Sequence, residues 1–135
     1  MDIKALDKAL QEIAAKRNEL SKLDYSNPAY DQMEEELHDM EDDFQEAYGD
    51  YMEKVLQEVH DRLCPDTDVL YPIAYIAKSY TVKGKNEFEV APSEGVFVEM
   101  DQYPGKETKL AIIPSPTRVV LNIGKEKQEV VWTSK

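Results

Sequence analysis

The sequence predicts an α+β protein. An antiparallel two-helix hairpin, coiled-coil-like in its spacing, takes residues 1–64, and an antiparallel β-meander of about five to six strands takes residues 65–135. Three observations lead there. Apolar residues recur at steps of three and four through the first 64 residues. Six of the seven prolines and four of the five glycines lie from Pro65 onward. Short β-branched runs sit between those glycines, which is the pattern of hairpins. The distal part of the second helix is expected to pack with the meander as one structural unit.

In the first helix the stripe is Ile3, Leu6, Leu10 and Ile13, then Arg17, then Leu20. This is a heptad seam with one charged position. Asp2 is placed to cap the helix start. Residues 21–27 break the pattern. Asn27 then suits an N-cap, with Pro28 at the first helical position. The second stripe runs Tyr30, Met33, Leu37, Met40, Phe44, Ala47, Tyr51, and beyond it Val55, Val59, Leu63 at steps of four. Met52 and Leu56 widen the later part, so a narrow seam becomes a broader buried face. Gly49 lies near this change and could mark a bend. Cys64-Pro65 ends the helix, because a residue before proline avoids the α region. The helices would be roughly 30 Å and 55 Å long, so the first covers only half of the second.

The expected strands are 75–82, 87–90, 96–100, 109–113, 118–123 and 129–133, with turns at 83–86 and 124–127 and a stiff Pro114-Ser115-Pro116 connector. The stretch 69–77 fits helical spacing about as well as strand spacing, and its Tyr and Ile content favours strand.

Composition narrows the class. The chain has 135 residues and a mean hydropathy of −0.61, with 33% charged residues. It is long enough for one modest core and too short for a large α/β barrel. No apolar run approaches the ~20 residues of a membrane span, and the charged start does not read as a signal peptide. The single Cys64 excludes an intrachain disulfide and suggests a reducing, cytoplasmic setting.

Charge is concentrated in one segment. Residues 24–64 hold fourteen acids and two bases, whereas residues 1–23 hold four acids and five bases. Residues 24–53 contain no Lys or Arg. Such a face repels phosphate backbones and anionic membranes, so neither direct nucleic-acid binding nor membrane binding is expected. It can attract a basic protein surface. The carboxylates placed to do so are Glu35, Asp39, Asp42, Asp43 and Glu46. The plainer reading is a solvated face that keeps the chain soluble. Lys4, Lys8, Lys16, Arg17 and Lys22 of the first helix could neutralise part of it. Arg17 should reach the edge and meet a carboxylate of the second helix, so Arg17→Leu should be neutral or stabilising.

Candidate chemistry is sparse. Glu34, His38 and Asp42 share one helical face at i, i+4 and i+8, which makes them weak metal-ligand candidates. Glu35 and His38 also match one Glu-x-x-His element of carboxylate-bridged metal bundles, which need two. No cofactor is expected. His60 and Cys64 share a face, but no motif supports a cysteine nucleophile, and Cys64 reads as a small buried residue. Residues 66–68, Asp-Thr-Asp, read as a turn. No phosphate-binding glycine loop and no GxSxG is present.

The layout, a helical hairpin before a compact β-rich part, resembles bacterial transcript-cleavage factors that insert a coiled coil into RNA polymerase. The acids at this chain's hairpin tip are Asp24 and Asp31, and Ser115-Pro116 followed by Gly124-Lys125-Glu126 is similar to those factors' C-terminal domain. The resemblance implies a metal held at the tip. No motif carries residues across, and no family is assigned.

The function expected is therefore a non-enzymatic interaction or assembly module acting through the acidic second helix on a protein with a basic surface. The uncovered apolar half of that helix predicts a homodimer. The alternative is a metal-dependent enzyme, or a transcript-cleavage-like factor, using the tip acids or the His38 cluster.

Overall fold

The computed structural model describes residues 1–85 and 87–134. Two helices come first, α1 (Ile3–Ser21) and α2 (Tyr30–Leu63), then a 3-10 turn at Pro72–Tyr75. Six strands follow: β1 (Thr81–Lys83), β2 (Glu87–Glu89), β3 (Val96–Phe97), β4 (Thr108–Ile113), β5 (Arg118–Ile123) and β6 (Lys127–Thr133). The architecture is α+β with an N-terminal helix pair, as the periodicity predicts. The expected single meander divides into two antiparallel sheets, β1-β2 and β3-β4-β5-β6.

Local chemistry sets the helix ends. The Asp2 carboxylate accepts from the Ala5 N–H at 3.0 Å, satisfying one orphan donor of α1. The start of α2 lies two residues later than expected: Ala29, not Asn27, holds the N-cap position, and Asn27 instead accepts from the Ala29 N–H at 2.9 Å in the turn before it. Cys64, with φ −151°, ends α2 before Pro65. α2 is continuous through Gly49. That glycine is buried, and a Cβ there would lie 2.2 Å from the Gln45 amide nitrogen, so the missing side chain leaves room for Gln45.

The helices run antiparallel: Leu20 and Ser21 lie beside Tyr30 and Leu37, and Ala9 and Ile13 lie beside Phe44 and Ala47. α1 buries Leu6, Leu10, Ile13 and Ala14. On α2 the buried set passes from Leu37 and Phe44 to Met52, Val55, Leu56 and Val59, the broadening that steps of four indicated. Burying each large aliphatic side chain stabilises the fold by about 1.5–3 kcal/mol.

α1 is fastened to the β part near both of its ends. Asp7 accepts from the Ser115 N–H and the Thr117 hydroxyl, each at 2.8 Å. Asn18 pairs with the Tyr80 backbone as a strand would, accepting from its N–H at 2.7 Å and donating to its carbonyl at 3.0 Å. The distal half of α2 packs within the same chain. Tyr51 lies edge-on to Trp132, and Arg62 donates to the Val131 carbonyl at 2.9 Å. Val131 is the unpaired residue of a bulge opposite Val119 and Val120, so its carbonyl is free to accept. The apolar face that suggested a homodimer is thus covered by its own chain. One core runs from Leu6 through Tyr75 to Ile123.

Two strand expectations are corrected. Residues 75–82 do not form a strand: Pro72–Tyr75 is a 3-10 turn, and Ile76 makes a lone parallel bridge to Ile112 before β1 begins at Thr81. Side chains of α1 occupy the carbonyls of this stretch that a sheet would need. Strand β3 is only Val96–Phe97: the Val98 N–H still donates to the Thr108 carbonyl at 2.9 Å, but the Val98 carbonyl accepts from the Thr108 hydroxyl at 2.6 Å, and the ladder ends there. Gly95, at φ +116°, admits β4, for a Cβ there would lie 2.6 Å from the Leu110 carbonyl oxygen. Of the 83–86 turn, Asn86 lies outside the described residues.

Arg17 is the third correction. It meets a carboxylate of α2, as expected, but in the interior: the Arg17 and Glu41 side chains are 15% and 11% exposed. Its guanidinium also donates to the carbonyls of Ile76 at 2.6 Å and Ala77 at 3.1 Å. Arg17→Leu therefore leaves a buried carboxylate and two carbonyls without their donor. We expect it to cost about 3 kcal/mol, reversing the expectation from sequence. Urea unfolding measures this, and the added change Glu41→Leu should recover much of the loss. A loss below about 1 kcal/mol in Arg17→Leu alone would show that the pair is dispensable.

Candidate functional site

The outward face of α2 carries the predicted carboxylates. Glu35, Asp39, Asp42, Asp43 and Glu46 are all exposed, and among the described residues none of them forms an ion pair. They lie opposite the buried stripe of Leu37, Phe44 and Val55. Of the α1 bases, Lys16 reaches Glu36 at 3.1 Å and Arg17 reaches Glu41. Lys4, Lys8 and Lys22 pair with no acid among the described residues. The stripe continues along the helix, because Asp39, Glu46 and Glu53 follow at intervals of seven.

The metal candidates share a face without forming a nest. His38 and Asp42 are exposed and Glu34 is half-buried. Among the described residues no group of three or more His, Cys, Asp or Glu side chains is arranged to hold a metal ion. Asp24 and Asp31 are both exposed at the hairpin tip, beside Tyr25, which packs on Tyr30 with centroids 4.8 Å apart.

Beside the acidic stripe lies a depression of about 810 Å³, between α2 and residues 69–74. Glu53 and Glu41 line it from α2, Arg17 from α1, and Val69, Leu70, Tyr71 and Ile73 from the opposite wall. Leu70 and Tyr71 are 46% and 67% exposed. A second depression of about 310 Å³ shares Arg17 and Glu41 and ends at Tyr30 and Lys78.

The wall is held by a buried relay. The His60 ring is 1% exposed, with Nδ1 2.8 Å from the Thr67 carbonyl oxygen and Nε2 2.9 Å from the Tyr75 hydroxyl. A carbonyl only accepts, so Nδ1 carries the hydrogen, and in the neutral ring Nε2 then accepts from the tyrosine. The same hydroxyl accepts from the Leu70 N–H at 3.1 Å. Residues 67–75 are thereby tied back to α2 just behind the exposed Leu70 and Tyr71. Both His60 nitrogens are engaged, so the ring is not placed to activate Cys64, the free and buried thiol one turn on. Burial pushes that thiol up from its ordinary value, which opposes thiolate formation.

Sequence reasoning found the acidic face and missed the depression. Val69-Leu70-Tyr71 reads as core by composition, and only the fold turns Leu70 and Tyr71 outward. In comparisons with known proteins, no family model, no curated protein and no solved structure matches this chain. Among the described residues, no helix is long and apolar enough to cross a membrane.

Burial holds back the ionisation of Cys64, Tyr75 and Tyr80. The Cys64 thiol is raised above 9.0, and the Tyr80 phenol well above 10.0, chiefly by desolvation. An unfolded chain ionises these groups at their ordinary values. Their contribution is therefore full below pH 9 and falls as pH rises past 9 and then 10. We expect thermal stability to decline across that range, with a shallower decline in Tyr80→Phe. Native Cys64 should label with a disulfide reagent only as fast as the protein unfolds. Rapid labelling at pH 8 would contradict the burial.

Proposed function

We propose that this protein is a non-enzymatic interaction or assembly module. It docks a protein of basic surface on the exposed face of α2. The observation that supports this is the row of five exposed carboxylates, none of them ion-paired among the described residues, on a helix otherwise anchored along its buried side. Like charges meet there at i, i+3 and i, i+4: Glu35 with Asp39, Asp39 with Asp42 and Asp43, Asp42 with Glu46. Each such pair destabilises a helix by a few tenths of a kcal/mol, and a basic partner relieves that repulsion. A reducing, cytoplasmic setting fits the free thiol of Cys64. Docking between two copies through the apolar side of α2 has less support, since β6 and the segment before β1 cover that side.

Replacing Glu35, Asp39, Asp42, Asp43 and Glu46 together with Gln or Asn tests the reading. We expect the variant to gain about 1 kcal/mol in stability and to lose salt-sensitive binding of a lysine-rich peptide. Binding that persists at full strength would move the functional surface elsewhere. A stabilisation specific to a divalent ion, absent in His38→Ala, would overturn the proposal in favour of a metal-dependent role.

A further inference from the structure

We infer that the depression beside Glu53 is the specificity pocket of this docking surface. Its ligand is a basic segment of a partner protein that carries a large apolar side chain next to its Lys or Arg residues. This rests on the proposal that the acidic face of α2 is the docking surface, and it names what that surface selects.

Two independent features meet at one place. The first is charge. Asp39, Glu46 and Glu53 follow at intervals of seven, roughly 10 Å apart along the helix, and this stripe runs into the depression at Glu53. The second is apolar surface. Leu70 and Tyr71 stand 46% and 67% exposed on the facing wall, adjacent in sequence and opposite the acid. The cation within the depression, Arg17, is committed to Glu41 and to backbone carbonyls. The free charge of the rim is therefore negative, and an incoming cation has Glu53 to meet.

The wall is also preorganised. The His60–Tyr75 relay fixes residues 67–75 against α2, so an entering side chain finds a formed surface instead of ordering a loop. A wholly polar basic segment would use the stripe and leave Leu70 and Tyr71 in water. A wholly apolar one would pass an unpaired row of carboxylates. Only a segment with both characters uses both walls, the arrangement of a buried anchor within a polar rim.

Two synthetic peptides test this by titration calorimetry at low salt. Both are lysine-rich and differ only at a central pair, Leu-Phe in one and Gly-Ser in the other. We expect the Leu-Phe peptide to bind about tenfold tighter, and the double variant Leu70→Ser/Tyr71→Ser to reduce that ratio to about one. Both replaced residues are exposed, so the fold should survive, and unfolding curves confirm it. The five-carboxylate variant should weaken both peptides. A ratio near one in the unaltered protein, or a ratio unchanged in the double variant, overturns the pocket while leaving the acidic docking surface standing. Failure of both peptides to bind overturns both. A doubled mass in light scattering that falls to 15.5 kDa in the double variant would show a second copy seated there and overturn the peptide ligand.

Discussion

Arg17 joins three parts of the molecule that are far apart in sequence. Its guanidinium extends from α1 to the Glu41 carboxylate on α2 and to the backbone carbonyls before β1. Taking this charge out of water is costly, and the bonds from its two terminal nitrogens to the carboxylate and the carbonyls offset that cost, although among the described residues its Nε–H is buried without a partner. The consequence is geometric. With those carbonyls occupied, residues 73–77 cannot pair as a strand, so the chain turns at Pro72–Tyr75 and presents Val69, Leu70 and Tyr71 to α2. The same pair forms the shared wall between the two depressions.

That arrangement explains how so acidic a helix is maintained. Isolated, α2 would suffer repulsion along its carboxylate face. In the fold its other side is buried against α1 over its first half and against β6 and the His60–Tyr75 relay over its second. Each buried Met, Val or Leu offsets several repulsive pairs, since a buried side chain contributes roughly five to ten times what one exposed like-charge pair costs. The core therefore carries the charged face as a tolerated expense. That repulsion motivates the docking role proposed for this face, because a basic partner would relieve it.

Polar side chains perform much of the work that longer strands perform in other small folds. Asn18 substitutes for a strand edge at Tyr80. Asp7 holds the β4-β5 turn, where Ser115 sits at φ 65°. Arg118 donates to the Phe88 carbonyl at 3.0 Å and so ties the two sheets together. Each contact spans at least 30 residues. This is why the boundary between helix pair and sheet, clear in composition, is crossed repeatedly in space.

The amino-acid sequence by itself determined what depends on near neighbours. The periodicity from Ile3 to Leu63, the Asp2 cap, the stop at Cys64-Pro65 and the runs at 109–113 and 118–123 all follow from local spacing and backbone restriction. The carboxylate face was equally legible, because a helix maps sequence interval directly onto position. What only the tertiary structure decided involves partners remote in the chain. Arg17 looked like an edge residue because its carbonyl acceptors lie some 60 positions away. Residues 75–82 have strand composition, yet α1 claims their hydrogen-bonding groups. Leu70 and Tyr71 are apolar and face outward because the relay from His60 fixes the turn behind them. Burial of an apolar residue is decided by the space left when all elements pack, and no local pattern encodes that remainder.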